Sequence, residues 1–228
     1  MEPHFPAAPS PPPHAVRPTP VSWAILAANL AMFGWVESHG SSTDTATLIR
    51  FGALERDLVW SGQWWRLLSA AFLHAGLFHL AANMVFGIPW CRQIERFFGS
   101  ARFASLYVLG ALGASALSLL GPASVSVGAS GALFGVIGAA LALHRRALGS
   151  WRAFIANRGS QQVLLNLLIL AVIGTVVPID QFAHAGGLAT GAAWGWIATR
   201  PSPRRSWPWV ALTAAVAVAV ALALRPRP

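Results

Sequence analysis

Apolar residues recur in seven blocks along the chain, at 21–36, 74–90, 103–120, 130–143, 163–177, 183–199 and 207–224, each closed by arginine, glycine or proline. Several approach the roughly 20 residues that cross a bilayer as a helix. The pattern therefore predicts an all-α polytopic membrane protein with seven helices. Residues 1–20 hold eight of the sixteen prolines and no apolar periodicity, which predicts a disordered tail. The block at 21–36 has Arg17 as its only basic flank and no convincing cleavage site, so it reads as a retained first span rather than a signal peptide. Residues 21–199 then form a six-helix core, and 200–228 an arginine-rich linker with a seventh helix.

The gaps between blocks are unequal in charge, and that inequality sets the orientation, because positive charge gathers on the cytoplasmic side. Arg92, Arg96 and Arg102 fall in one gap, Arg145, Arg146, Arg152 and Arg158 in another, and Arg200, Arg204 and Arg205 in a third; with Arg17 they place eleven of sixteen arginines and the N-terminus inside. The alternate gaps are acidic or neutral. The seventh span is the exception, since it would carry Arg225 and Arg227 outward. The long outer segment 37–73 contains Trp60, Trp64 and Trp65, side chains that favour the headgroup zone, and is predicted to lie partly in the membrane surface.

Composition agrees with this class. The chain is 55% apolar and 10% charged with a mean hydropathy of +0.56, which excludes a disordered or ordinary soluble protein. A net charge of +9 would suit nucleic acid, but the arginines sit in short gaps between spans, so topology accounts for them and no nucleic-acid partner is expected. The single cysteine, Cys91, forms no internal disulfide, and no ligand spacing for a metal occurs. No metal or cofactor is expected.

Polar groups in hydrocarbon are costly, so those inside the spans are the candidates for function. His79 and Asn83 are four residues apart and share a helix face. Block four opens GASGALFG with Ser130, and block six opens AHAGGLATG with His184. Counting from the inner arginines at about 1.5 Å per residue puts Ser130 about 22 Å, His184 about 24 Å and His79 about 20 Å above them. The three share a depth below the outer surface of a core about 30 Å thick. A serine becomes a nucleophile only with a base in reach, and imidazole is suited to that role. Ser130 also starts a helix, where unpaired N–H groups and the dipole can hold an oxyanion, with His79 and Asn83 as further donors. Gly131 with Gly135, and Gly187 with Gly191, are pairs that let membrane helices approach closely, which would bring Ser130 and His184 together. His74 reads as a loop-contacting or hydrogen-bonding residue.

In order along the chain stand Trp65-Arg66, His79-x-x-x-Asn83, Glu95-x-x-x-Gly99, Gly128-x-Ser130-Gly131-x-x-x-Gly135 and Ala183-His184-x-x-Gly187-x-x-x-Gly191. This ordered set resembles the rhomboid family of intramembrane serine proteases over essentially residues 21–199. The resemblance implies a six-helix rhomboid-like core plus one C-terminal transmembrane helix. It implies Ser130 as nucleophile and His184 as general base without an acidic third member, with Asn83, His79 and the Ser130 N–H around the oxyanion and Gly128 in the same lining. It also implies structural roles for Arg66 and Glu95 and a half-buried outer segment. The family's tyrosine four residues after the serine is Phe134 here, which keeps the ring for stacking on the histidine and loses the hydroxyl. Asp180, four residues before His184, falls in the outer turn and is not expected to be catalytic.

The implied activity is hydrolysis of a peptide bond in or near transmembrane helices of membrane-protein substrates. The lipid bilayer is the other partner, and the site needs water from an outward cavity. Abundant alanine and arginine without lysine suggest a GC-rich bacterial genome and hence the bacterial inner membrane. Two rivals stand beside this reading. One is a non-catalytic rhomboid-like protein that binds membrane clients, which the presence of both Ser130 and His184 disfavours. The other is a channel or transporter with a histidine relay, which the lack of an internal repeat disfavours.

Overall fold

A computed structural model describes residues 17–198. Residues 1–16 of the tail predicted at 1–20, and the whole of the linker and seventh helix predicted at 200–228, lie outside the described residues. The long helices are α1 (Pro20–His39), α5 (Leu77–Phe98), α6 (Ser100–Ser118), α7 (Ser130–Ala147), α9 (Arg158–Ile173) and α10 (Gln181–Ala198). Short helices fill the connections: α2 (Thr45–Arg50), α3 (Arg56–Trp60) and α4 (Arg66–Ser69) between α1 and α5, and α8 (Trp151–Ala156) between α7 and α9. Helices α1 and α6 are each long and apolar enough to cross a membrane alone. Residues 66–72 and α5 make a further apolar pair bent by 89°. The protein is an all-α integral membrane protein. Its one β element among the described residues is a two-residue antiparallel ladder, β1 (Leu54–Glu55) with β2 (Val125–Ser126).

Helix α5 departs from the predicted 74–90 at both ends. It starts at Leu77 because Gly76, at φ +87°, turns the chain in a region that side chains rarely enter, leaving His74 in the bend. It runs on to Phe98, past Arg92 and Arg96, because the charged group there is satisfied. The buried Glu95 carboxylate accepts from the N–H groups of Val21 (3.0 Å) and Ser22 (2.8 Å) and from the hydroxyls of Ser22 (2.6 Å) and Ser100 (2.7 Å). An acid on α5 thereby satisfies the free donors at the start of α1. Gly99, at φ +85°, then reverses the chain into α6.

Helices α6, α7 and α10 form the centre, and glycine makes their approach close. A methyl group at Gly187 would overlap the carbonyl oxygen of Gly131, one at Gly191 that of Gly135, and one at Gly186 that of Gly113. In lipid, where apolar burial gives helices no reason to associate, such backbone-to-backbone packing supplies the attraction. Helix α9 is the opposite case: Ser160 is its one buried residue, and its leucines are largely exposed.

The outer segment 37–73 is folded around Arg66. This buried guanidinium donates to the carbonyls of Ile49 (2.7 Å) and Ala53 (2.8 Å) and to Gln63 Oε1 (2.8 Å), and it sits 4.7 Å from the Trp65 ring. Trp60, Trp64 and Trp65 remain between 44% and 49% exposed, a face apolar enough to rest in a headgroup layer.

Candidate active site

Ser130 is the first residue of α7, and the loop leading to it is held by backbone contacts. β2 pairs with β1 of the outer segment. The Gly128 N–H donates to the Ala70 carbonyl (2.9 Å), with Gly128 at φ +125°, a conformation that selects glycine. The Ala129 N–H lies 3.5 Å from Nε2 of the buried His74, which is the hydrogen-bonding position expected for that residue. Helix α7 has no side-chain cap at its start. Its first N–H groups therefore have no intrahelical acceptor and are available to an anion.

The opposite partner comes from α10. Asp180 precedes that helix and accepts from the Ala183 N–H through Oδ1 (2.9 Å), while Oδ2 takes a short hydrogen bond from the Ser118 hydroxyl at the end of α6. The backbone carbonyl of Asp180 accepts from the His184 N–H (3.1 Å). One turn into the helix, His184 Nε2 lies 2.9 Å from Ser130 Oγ. The two side chains singled out 54 residues apart in sequence thus meet. No acid completes a triad: among the described residues His184 Nδ1 has no hydrogen-bond partner, and Asp180 acts on the helix start instead. The imidazole is held by a ring, since Phe134 stacks on it at 4.0 Å and 9°.

His79 and Asn83 occupy the facing side of the same cavity. A methyl group at Gly128 would come 2.8 Å from His79 Nε2 and 3.7 Å from Ser130 Oγ, so the three residues crowd one point. His79 Nδ1 accepts from the Ala75 N–H (3.3 Å), which leaves Nε2 toward Gly128. Asn83 Nδ2 donates to the His79 carbonyl (3.1 Å), leaving a second N–H on the same nitrogen. Ser130, His184, His79, Asn83 and Gly128 all line a cavity of about 960 Å³. A hydroxyl touching an imidazole, with N–H donors on two sides, is an arrangement able to generate and hold a tetrahedral oxyanion.

The far wall of the cavity is α9, which contributes Val163, Asn166, Leu167, Leu170 and Ile173. Asn166 is not one of the candidate residues that the sequence pattern singles out. Its signal was present: one amide inside the run VLLNLLILAVI, at membrane depth.

Comparison with known proteins follows this geometry. The family model described as Rhomboid domain matches residues 61–201. The Rhomboid protease GluP of Bacillus subtilis (strain 168) is 36% identical over 175 residues, covering 77% of this chain and 34% of that protein. RHOMBOID-like protein 5 of Arabidopsis thaliana is 38% identical over 155 residues, 66% of this chain and 49% of that protein. Rhomboid-like protease 1 of Toxoplasma gondii is 36% identical over 176 residues, 73% of this chain and 59% of that protein. The chain spans between a third and about half the length of the first two of these relatives.

Proposed function

The chain belongs to the rhomboid family, and from that premise we propose that it is an intramembrane serine endopeptidase with Ser130 as nucleophile and His184 as general base. The observation that carries the reading is the 2.9 Å contact between Ser130 Oγ and His184 Nε2 at the wall of a cavity. With the imidazole proton on Nδ1, Nε2 takes the hydroxyl proton as Oγ attacks a substrate carbonyl carbon. The resulting oxyanion accepts from the N–H groups at the start of α7, with Asn83 Nδ2 and His79 Nε2 as side-chain donors. The imidazolium returns its proton to the leaving amine as the C–N bond breaks. Water then attacks the acyl ester, again through His184, and restores the Ser130 hydroxyl.

Without an acid on Nδ1, the orientation that a triad obtains from a carboxylate is assigned to the Phe134 stack and to the capped start of α10. The substrate is a transmembrane helix of another protein. It enters between α5 and α9, because Phe78 and Phe86 of α5 are exposed beside the cavity and α9 is barely packed on its neighbours. Local unwinding frees the carbonyl to be attacked, so helix-breaking residues are expected near the cleaved bond. The finer architecture is six core helices with a seventh at the C-terminus, the N-terminus in the cytoplasm, and residence in a bacterial inner membrane.

Reconstitution into vesicles with a single-span substrate tests the reading. Cleavage by the unaltered protein, and none by Ser130→Ala, is expected; equal cleavage by both would remove Ser130 from the reaction. A folded protein that binds such helices and cuts none would instead be a client-binding member of the family.

A further inference from the structure

Helix α9 presents a nearly uniform apolar wall to the cavity: Val163, Leu167, Leu170 and Ile173 line it at helical spacing, and Asn166 is the polar residue among them. The Asn166 Oδ1 accepts from Gln162 Nε2 one turn away (3.1 Å). Its own amide nitrogen makes no hydrogen bond among the described residues. Two N–H donors are therefore available on the cavity wall, and a substrate helix packed against that wall displaces the water that would otherwise serve them, so that a donor left unpaired beneath it is costly.

The depth of these donors defines what they meet. Arg145 and Arg158 flank the same inner connection, between α7 and α9. Ser130 stands fifteen residues from Arg145, about 22 Å, and Asn166 eight residues from Arg158, about 12 Å. Asn166 thus lies about 10 Å closer to the inner surface than the serine. A substrate that is helical below the attacked bond and passes both would present to Asn166 a residue six or seven positions deeper than the bond at Ser130, about two helical turns.

We propose that Asn166, buttressed by Gln162, is a specificity residue. It selects transmembrane helices that carry a side-chain oxygen acceptor, from Asn, Gln, Ser or Thr, about two turns deeper than the cleaved bond. The inference rests on the protease reading, with Asn166 as a contact to substrate outside the reacting atoms. An apolar residue at that depth leaves the donors unpaired, whereas an acceptor satisfies them. Discrimination on this basis is about 3- to 20-fold for one interhelical hydrogen bond in a membrane.

The test uses the full chain in vesicles and two designed single-span peptides that differ only at that depth, threonine in one and valine in the other. The ratio of their kcat/KM values is the readout, because it does not depend on the fraction of protein folded. A ratio of about 3 to 20 is expected for the unaltered protein, falling to near one in Asn166→Leu and partly kept in Asn166→Gln. A ratio near one in the unaltered protein, or one unchanged in Asn166→Leu, overturns the proposal. Binding of the same peptides to Ser130→Ala, read by energy transfer, separates the two readings. A preference in binding without cleavage by any form removes the protease and keeps the contact, while cleavage without preference removes only the contact.

Discussion

Phe134 lies flat against His184, with ring centroids 4.0 Å apart and planes 9° from parallel, on the histidine whose Nδ1 has no hydrogen-bond partner among the described residues. The stack therefore sets the direction in which Nε2 points at Ser130. We expect Phe134→Ala to lower turnover about 10- to 100-fold, in line with the cost of a small misplacement of reacting groups. Phe134→Tyr should retain most activity. Steady-state kinetics with one substrate checks both, and equal rates in all three forms would show that the imidazole is oriented by something else.

Asp180 acts on α10 rather than on the imidazole. Its carboxylate accepts from the Ala183 N–H and from the Ser118 hydroxyl, so it joins the end of α6 to the start of α10 while itself lining the cavity. Asp180→Asn keeps both contacts with one oxygen and one N–H, and should be mild. Asp180→Ala loses the cap, worth about 1 kcal/mol, and should lower both thermal stability and turnover. A collapse of activity in Asp180→Asn would promote the carboxylate to the catalytic set.

The Ser130–His184 contact depends on how closely α7 and α10 approach. Adding a side chain at Gly187 pushes against the Gly131 carbonyl, one residue after the serine. Overpacking of this kind costs about 1–3 kcal/mol or more, since a backbone atom cannot rotate away. Gly187→Val should therefore lower the unfolding midpoint in detergent and abolish cleavage. Gly34, with nothing near its missing side chain, offers the control: Gly34→Ala should do neither.

Glu95 holds the start of α1 and is not among the residues that line the cavity. Replacing it with alanine strands the buried Ser22 donors and the partly buried Val21 N–H, at about 1–3 kcal/mol for each buried group left unpaired. Glu95→Ala should thus be strongly destabilising, yet the protein that remains folded should cleave with a near-normal kcat. Active-site titration alongside kinetics separates the two effects. A lowered kcat per titrated site would mean that α1 shapes the cavity directly.

Much of this architecture was legible in the chain. Alternating arginine-rich and arginine-poor gaps marked the helices, and counting from those arginines put Ser130, His184 and His79 at one level because helices have a fixed rise. The small-residue pairs announced the close approach of α7 and α10. What local pattern does not encode is which donors a buried acid will find. Glu95 and Arg66 are recognisable as unusual, but their partners at Ser22 and Ala53 follow from tertiary packing alone. The bend at Gly76 was hidden for the same reason, since a glycine beside an apolar run reads equally as packing. Asn166 was visible as an amide in a leucine run. Its position on the wall of the cavity that holds Ser130 follows from the packing of α9 and not from the local pattern.

Labelling with a fluorophosphonate probe, followed by peptide mapping, measures the central pair most directly. The probe should attach to Ser130 in the folded protein, and the attachment should be lost when the protein is unfolded by heat and fall steeply in His184→Ala. Absence of label in folded protein, attachment at another serine, or undiminished labelling of Ser130 in His184→Ala would contradict a serine activated by that histidine.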